Sequence, residues 1–387
     1  MKKIAKICVF TGGRAEYGIL KPLLDELKKD KNFSLKLLVS GMHLSNEFGL
    51  TYKTIETDGF KCDEKIEMVM SSDTTEGICK SIGIGIISYG EALKRIAPDW
   101  LVILGDRYES MALAVAATVS RIPIAHIQGG EVTTGAIDDH FRHSITKMSN
   151  LHFVYADEYK KRVVQLGENP KSVFNYGALN LDAIKKIKVL EKNQLFEQLN
   201  LDITQKVAIV TFHPVTLDNN SSLKQFQELL NALKKFDDLQ IVFTKTNSDT
   251  DGRVINSMID KYVLANKKSS SCFKSLGQLK YISLLKYSKI VIGNSSSGLI
   301  ETPIFKIPTV NIGDREKGRI RTKNIIDCDP STKNIVSAIK KGLSKKFINS
   351  LVKMKNPLEK RDTAKKIANK LKYFPKVKST KKDFYNI

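Results

Sequence analysis

Five short segments carry side chains able to do chemistry, and each directly follows an apolar run. Thr11-Gly12-Gly13-Arg14-Ala15-Glu16-Tyr17-Gly18 sets two glycines, able to turn tightly, before an arginine that opens a helical stretch. Backbone N–H groups and a guanidinium placed so would hold an anion; an arginine in an ordinary surface turn is the plainer reading. Gly105-Asp106-Arg107-Tyr108-Glu109 puts an acid and a base at the tip of a fully apolar run, where Asp106 either works at a ligand edge or caps the next helix. The densest titratable cluster is His126-Ile127-Gln128-Gly129-Gly130-Glu131, followed by Ile137-Asp138-Asp139-His140-Phe141-Arg142-His143. Arg142 lies one helical turn after Asp138, and no H-E-x-x-H or comparable metal spacing occurs, so an acid–base site stiffened by an ion pair fits best.

The second half repeats the theme. His213-Pro214-Val215-Thr216 ends a run at 207–212, and Pro214 disfavours helix there, which leaves His213 at a strand tip. Gly293-Asn294-Ser295-Ser296-Ser297-Gly298-Leu299-Ile300-Glu301 offers N–H and O–H donors at the opening of a helix, and Gly313-Asp314-Arg315-Glu316-Lys317-Gly318-Arg319 adds cations. The P-loop lysine is absent, and no G-x-G-x-x-G opens a helix after a strand, which argues against an ATPase-type site and against a nicotinamide or flavin cofactor. A cap alone would be unremarkable; together with a basic turn in the other half, it points to a pyrophosphate held across a cleft.

These loops need strands behind them. Apolar runs at 4–10, 35–39, 101–104, 123–127 and 151–155 alternate with segments of helical period, the first reading Ile19, Leu20, Leu23, Leu24, Leu27. After Asp182 about twenty residues turn to Lys, Gln, Glu and Asn without a strand signal. A second series follows at 207–212, 240–243, 290–292 and 309–312. The alternation is that of parallel β-α-β units, so the chain is α/β, with two Rossmann-type doubly wound parallel-sheet domains and a cleft between them. In such sheets ligands bind beyond the carboxyl ends of the strands, where all five segments lie.

Composition agrees. The 387 residues are 42% hydrophobic and 27% charged with 10 Pro, which excludes disordered and fibrous classes and makes two domains the natural division. The formal charge is +22, but 52 of the 63 bases are Lys, and the sequence shows neither aromatic-interleaved arginine stripes nor an RNA motif. No nucleic-acid partner is expected; a basic field would instead draw in an anionic substrate. Cysteines 8, 62, 79, 272 and 328 form no C-x-x-C pair, and no run approaches the roughly 18 apolar residues of a membrane span. A cytoplasmic location without membrane attachment is expected.

Taken in order, the motifs G-x-R-A-E-Y-G at 12–18, G-M-H-L-S at 41–45, G-D-R at 105–107, G-G-E at 129–131, D-D-x-x-R-H at 138–143, F-H-P-V-T at 212–216, G-N-S-S at 293–296 and G-D-R-x-x-G-R at 313–319 resemble those of the hydrolysing UDP-N-acetylglucosamine 2-epimerases of sialic-acid and legionaminic-acid synthesis. The resemblance spans nearly the whole chain. It implies a GT-B-like fold whose last helix returns to the first domain, giving domains at 1–182 plus 366–387 and at 183–365. It implies a nucleotide held mainly by the second domain: His213, Ser295, Ser296 and Arg14 on the diphosphate, Glu301 on the ribose, Arg315 closing the site. Asp106, Glu131, Asp138 and Arg142 would surround the sugar, and a homodimer is implied.

The chemistry needs a carboxylate to take the poorly acidic C-2 proton while UDP leaves C-1 with its charge neutralised, and then water to add across the resulting glycal. No redox cofactor or metal is formally required. UDP and N-acetylmannosamine are the expected products; the alternatives are a UDP- or GDP-linked N,N'-diacetylbacillosamine substrate and, more distantly, a GT-B glycosyltransferase. One position departs from many relatives: Gln128 stands where an acid–base carboxylate is found, and an amide cannot exchange a proton at neutral pH. The base role is therefore spread over Asp106, Glu131 and Asp138.

Overall fold

The computed structural model describes residues 4–70, 74–133, 136–214, 221–246, 252–373 and 380–387. Two compact units divide the chain. The first comprises 1–131, 138–185 and 358–387; the second comprises 132–137 and 186–357. The junction thus falls at 185/186 against the 182/183 expected, and the return at 357/358 against 365/366.

In the first unit seven parallel strands run β1 (Ala5–Thr11), β2 (Phe33–Ser40), β3 (Glu64–Ile66), β4 (Trp100–Leu104), β5 (Ile124–Ile127), β6 (Leu151–Val154) and β7 (Val173–Asn175), in spatial order β3-β2-β1-β4-β5-β6-β7. In the second, β8 (Lys206–Thr211), β9 (Leu239–Thr244), β10 (Ser270–Phe273), β11 (Ile290–Gly293), β12 (Thr309–Ile312) and β13 (Ile325–Cys328) are ordered β10-β9-β8-β11-β12-β13. The two orders are one pattern repeated. In each, the chain reverses direction across the sheet between its first and fourth strands, at β1/β4 and at β8/β11, and those are the crevices where doubly wound sheets take ligands.

The central strands are apolar throughout because helices cover both faces: β4, β5, β11 and β12 are buried at every position. The helix Arg14–Lys29 buries Leu20, Leu23, Leu24 and Leu27 against β1 and β2 in one core, joined there by Ile367 and Leu371 of the helix Thr363–Tyr373. That last helix starts at Thr363, because Asp362 before it has φ 56, a left-handed conformation a right-handed helix cannot contain. The stretch after Asp182, which gave no strand signal, holds the end of the helix Leu179–Lys186 and the helix Lys192–Gln198. Among the described residues no helix is long and apolar enough to cross a membrane.

Candidate active site

In the first unit the site is built on the ends of β1, β4 and β5. Gly105 leaves β4 with φ 76, and its carbonyl lies 2.7 Å from His126 Nε2. Burial pushes the His126 imidazole down to about 3, so it is neutral; a carbonyl only accepts, so Nε2 carries the proton and Nδ1 accepts from Thr146 Oγ1 at 3.1 Å. The backbone of β4 is thereby pinned where Asp106 departs from it.

Asp106 does not cap a helix. The cap of Tyr108–Val119 is Arg107, with no side-chain capping bond, and the Asp106 carboxylate instead pairs with the Arg142 guanidinium. Arg142 is 1% exposed and also donates to Asp139 Oδ1 at 3.0 Å and to the Glu131 carbonyl at 3.1 Å. A charge this deeply buried must be matched, and a guanidinium fork serves several acceptors at once. Asp106, Glu131 and Arg142 are therefore brought into one cluster, while Asp138 opens the helix Asp138–Met148 that carries Arg142. Gln128 turns out of β5 with φ 68, its N–H on the Phe153 carbonyl at 2.8 Å.

Two carboxyls in this region were not singled out by the sequence reading. Glu16, on the first turn of the helix that Arg14 opens, accepts the Gly12 N–H at 2.7 Å. Burial, together with the nearby Glu109 carboxylate, pushes it up to about 8. Glu109 is fully buried and meets Arg107 Nε at 3.3 Å. Their signal was present in the spacing, since Glu16 and Glu109 both lie one turn or less into helices that begin at strand tips.

In the second unit the site sits on the ends of β8 and β11. The His213 N–H donates to Asn294 Oδ1 at 2.7 Å, and its ring Nδ1 lies 3.0 Å from Thr246 Oγ1. Arg315 reaches back to the Asn294 carbonyl at 3.2 Å, so His213, Asn294 and Arg315 form one group, with Ser295 and Ser296 next in the chain. Glu316, wholly buried, lies between Arg315 and Arg319, the latter at 3.0 Å. Glu301 accepts from Ser297 Oγ at 2.6 Å, and Ser297 in turn meets the Tyr281 hydroxyl.

The helix expected after the serines is a single turn, Ser297–Ile300, followed at once by another, Thr302–Phe305. Pro303 in the second turn breaks the run, and a one-turn helix has little dipole to offer an anion. Side chains, not a long helix, must supply the charge. Val215 and Thr216 of the F-H-P-V-T motif lie outside the described residues.

Fold and site together define a class: a pair of doubly wound α/β units, each with polar and charged loops at its switch point. The chain belongs to the UDP-N-acetylglucosamine 2-epimerase family, whose model matches residues 25–372. It is 43% identical over 342 residues to a Campylobacter jejuni protein named GDP/UDP-N,N'-diacetylbacillosamine 2-epimerase (hydrolyzing), covering 88% of each chain. It is 38% identical over 384 residues to the Escherichia coli polysialic acid biosynthesis protein P7, covering 99% of this chain and 97% of that one. To the Legionella pneumophila UDP-N,N'-diacetylbacillosamine 2-epimerase (hydrolyzing) it is 33% identical over 342 residues, 88% of this chain and 90% of the relative. Among solved structures, UDP-GlcNAc 2-epimerase from Neisseria meningitidis bound to UDP-GlcNAc matches with TM-score 0.80 at 19% identity over 95% of this chain and 99% of that one. That likeness shows the fold, which is GT-B-like as expected.

Proposed function

We propose that this member of the family is a hydrolysing 2-epimerase of a nucleotide-linked 2-acetamido sugar, releasing UDP and the free 2-epimer. The observation that carries the reading is the Asp106–Arg142 pair at the end of β4, with the Glu131 backbone on the same guanidinium. A carboxylate there would draw the C-2 proton while UDP departs from C-1, leaving a 2-acetamido glycal. Water then supplies hydroxyl to C-1 and hydrogen to the opposite face of C-2, so that nucleotide sugar and water become UDP and sugar in balance.

His213, Ser295, Ser296, Arg315 and Arg14 would hold the diphosphate, Glu301 the ribose, and Asp106, Glu131, Asp138 and Arg142 the sugar. Arg14, Asp106, His213, Ser295 and Ser296 directly follow β1, β4, β8 and β11, the switch-point strands, and that placement supports this. For the sugar, the names of the 43% and 33% identical relatives favour N,N'-diacetylbacillosamine. A second reading, UDP-N-acetylglucosamine giving N-acetylmannosamine, rests on the family's description and on a Neisseria meningitidis relative of that name, 31% identical over 344 residues. The working form is a cytoplasmic homodimer, which light scattering would check.

Purified protein given each nucleotide sugar in ¹⁸O-labelled heavy water tests the reaction. The reading expects free UDP without label, a sugar with ¹⁸O at C-1 and deuterium at C-2. Release of no nucleotide from either sugar, or an epimer still linked to UDP, would overturn it.

A further inference from the structure

Asn294 occupies an unusual junction. It follows Gly293, where β8 and β11 approach so closely that a Cβ would fall 1.8 Å from the Thr211 carbonyl oxygen. The Asn294 N–H donates to that same carbonyl at 3.1 Å. Beyond this point the backbone ladder stops, since β8 ends at Thr211 and β11 at Gly293. The Asn294 side chain takes over: Oδ1 accepts the His213 N–H at 2.7 Å and Nδ2 donates to the His213 carbonyl at 2.8 Å. A primary amide here imitates one more peptide unit and clamps the His213 backbone on both sides. Pro214, next in the chain, has no N–H and could not extend the ladder itself. The Asn294 carbonyl meanwhile accepts Arg315 Nη1 at 3.2 Å.

We infer that Asn294 is a positioning residue for the nucleotide: wholly buried, it fixes the separation of His213 from Arg315. The inference deepens the proposed function and rests on its assignment of those two side chains to the diphosphate. Asn294 touches no substrate; its side chain reaches the anion through His213, while its backbone carbonyl, which any residue here would keep, holds Arg315. Only an amide serves, because the two bonds to His213 demand an acceptor and a donor on one planar group. An aspartate would keep the first bond and set a carboxylate oxygen against the His213 carbonyl.

Calorimetric titration of the full chain with UDP tests this. Asn294→Asp should weaken UDP binding about tenfold or more. His213→Ala should weaken it too, and because Asn294 acts through His213, the double variant should bind within about threefold of the weaker single variant. A merely structural asparagine would give losses that multiply, with affinity falling in step with the thermal midpoint. Should Asn294→Asp fail to fold, Asn294→Ser, which keeps an acceptor and removes the planar amide, serves in the same cycle with the same expectation. Unchanged UDP affinity in the variant, or multiplying losses, would overturn the inference alone. Absence of UDP binding by the unaltered chain would instead remove the functional reading, and this inference with it.

Discussion

Asp106 and Arg142, 36 positions apart, meet as an ion pair in which the arginine is buried to 1% exposure while the aspartate keeps 21% of its side chain accessible. The asymmetry matters. Asp139 and the Glu131 carbonyl still hold the guanidinium if Asp106 loses its charge, so the fold tolerates what the chemistry should not. Asp106→Asn is expected to lower turnover by about 10²- to 10⁴-fold, as removal of an acid–base carboxylate does, with UDP affinity nearly intact. Initial rates of nucleotide release and calorimetric UDP binding check both halves. Turnover like that of the unaltered chain would refute the role.

Glu316 performs the inverse service in the second unit. It is fully buried and lies between two cations, Arg315 and Arg319, and its backbone carbonyl accepts Arg321 Nη1 at 2.9 Å. Glu316→Gln leaves buried guanidinium charge without its anion, a loss of about 3 to 5 kcal/mol for a broken buried pair. Urea unfolding should register that, and UDP binding should weaken with it as Arg315 loses its brace. A variant as stable as the parent would mean the three side chains are not coupled.

How much of this was legible beforehand follows a physical line. All nine apolar runs read as strands are inner strands of the two sheets. The four strands that escaped notice, β3, β7, β10 and β13, are the four edges. An edge strand is half solvated and needs no continuous apolar run: β3 reads Glu-Lys-Ile and β10 Ser-Ser-Cys-Phe. β3 and β7 are also three residues each, shorter than any inner strand, so length adds to the difficulty there.

The site divides in the same way. That polar loops follow strands is local information, which is why Arg14, Asp106, His213 and Ser295 could be named. That Asp106 pairs with Arg142 instead of capping a helix, or that Asn294 grips His213 from 81 positions away, depends on which strands are neighbours. Glu16 shows both aspects: its bond to Gly12 spans one helical turn, but the Glu109 carboxyl that helps to raise it comes from the helix after β4.

Glu16 also makes stability depend on pH. Its carboxyl is pushed from an ordinary 4.5 up to about 8, first by burial and then by Glu109. A group whose folded value is raised contributes stability that is whole below its unfolded value and is lost as pH rises through the folded one. Between about pH 4.5 and 8 the unfolded chain sheds this proton while the folded chain keeps it, so folding becomes less favourable across that window. Glu16→Gln, neutral at every pH and of the same shape, should gain on the parent from pH 5 to 8, and the gain should level off above. Urea midpoints for both proteins at half-unit intervals would show it; a constant difference would place the Glu16 proton elsewhere.

Two glycines separate the consequences of space from those of backbone angle. Gly293 has φ 138 and no room: its Cβ would lie 1.8 Å from the Thr211 oxygen, at the closest approach of β8 and β11. Gly277 has φ 66 with nothing within 4 Å of the added atom. Gly277→Ala should therefore cost only the left-handed penalty, about 1 to 2 kcal/mol. Gly293→Ala must also push apart the strands that carry His213 and Asn294, adding overpacking of about 1 to 3 kcal/mol to a greater backbone strain. Thermal midpoints should fall in that order, and UDP binding should be impaired in the Gly293 variant alone. Equal losses of affinity would mean that the β8/β11 junction does not set the geometry of the nucleotide site.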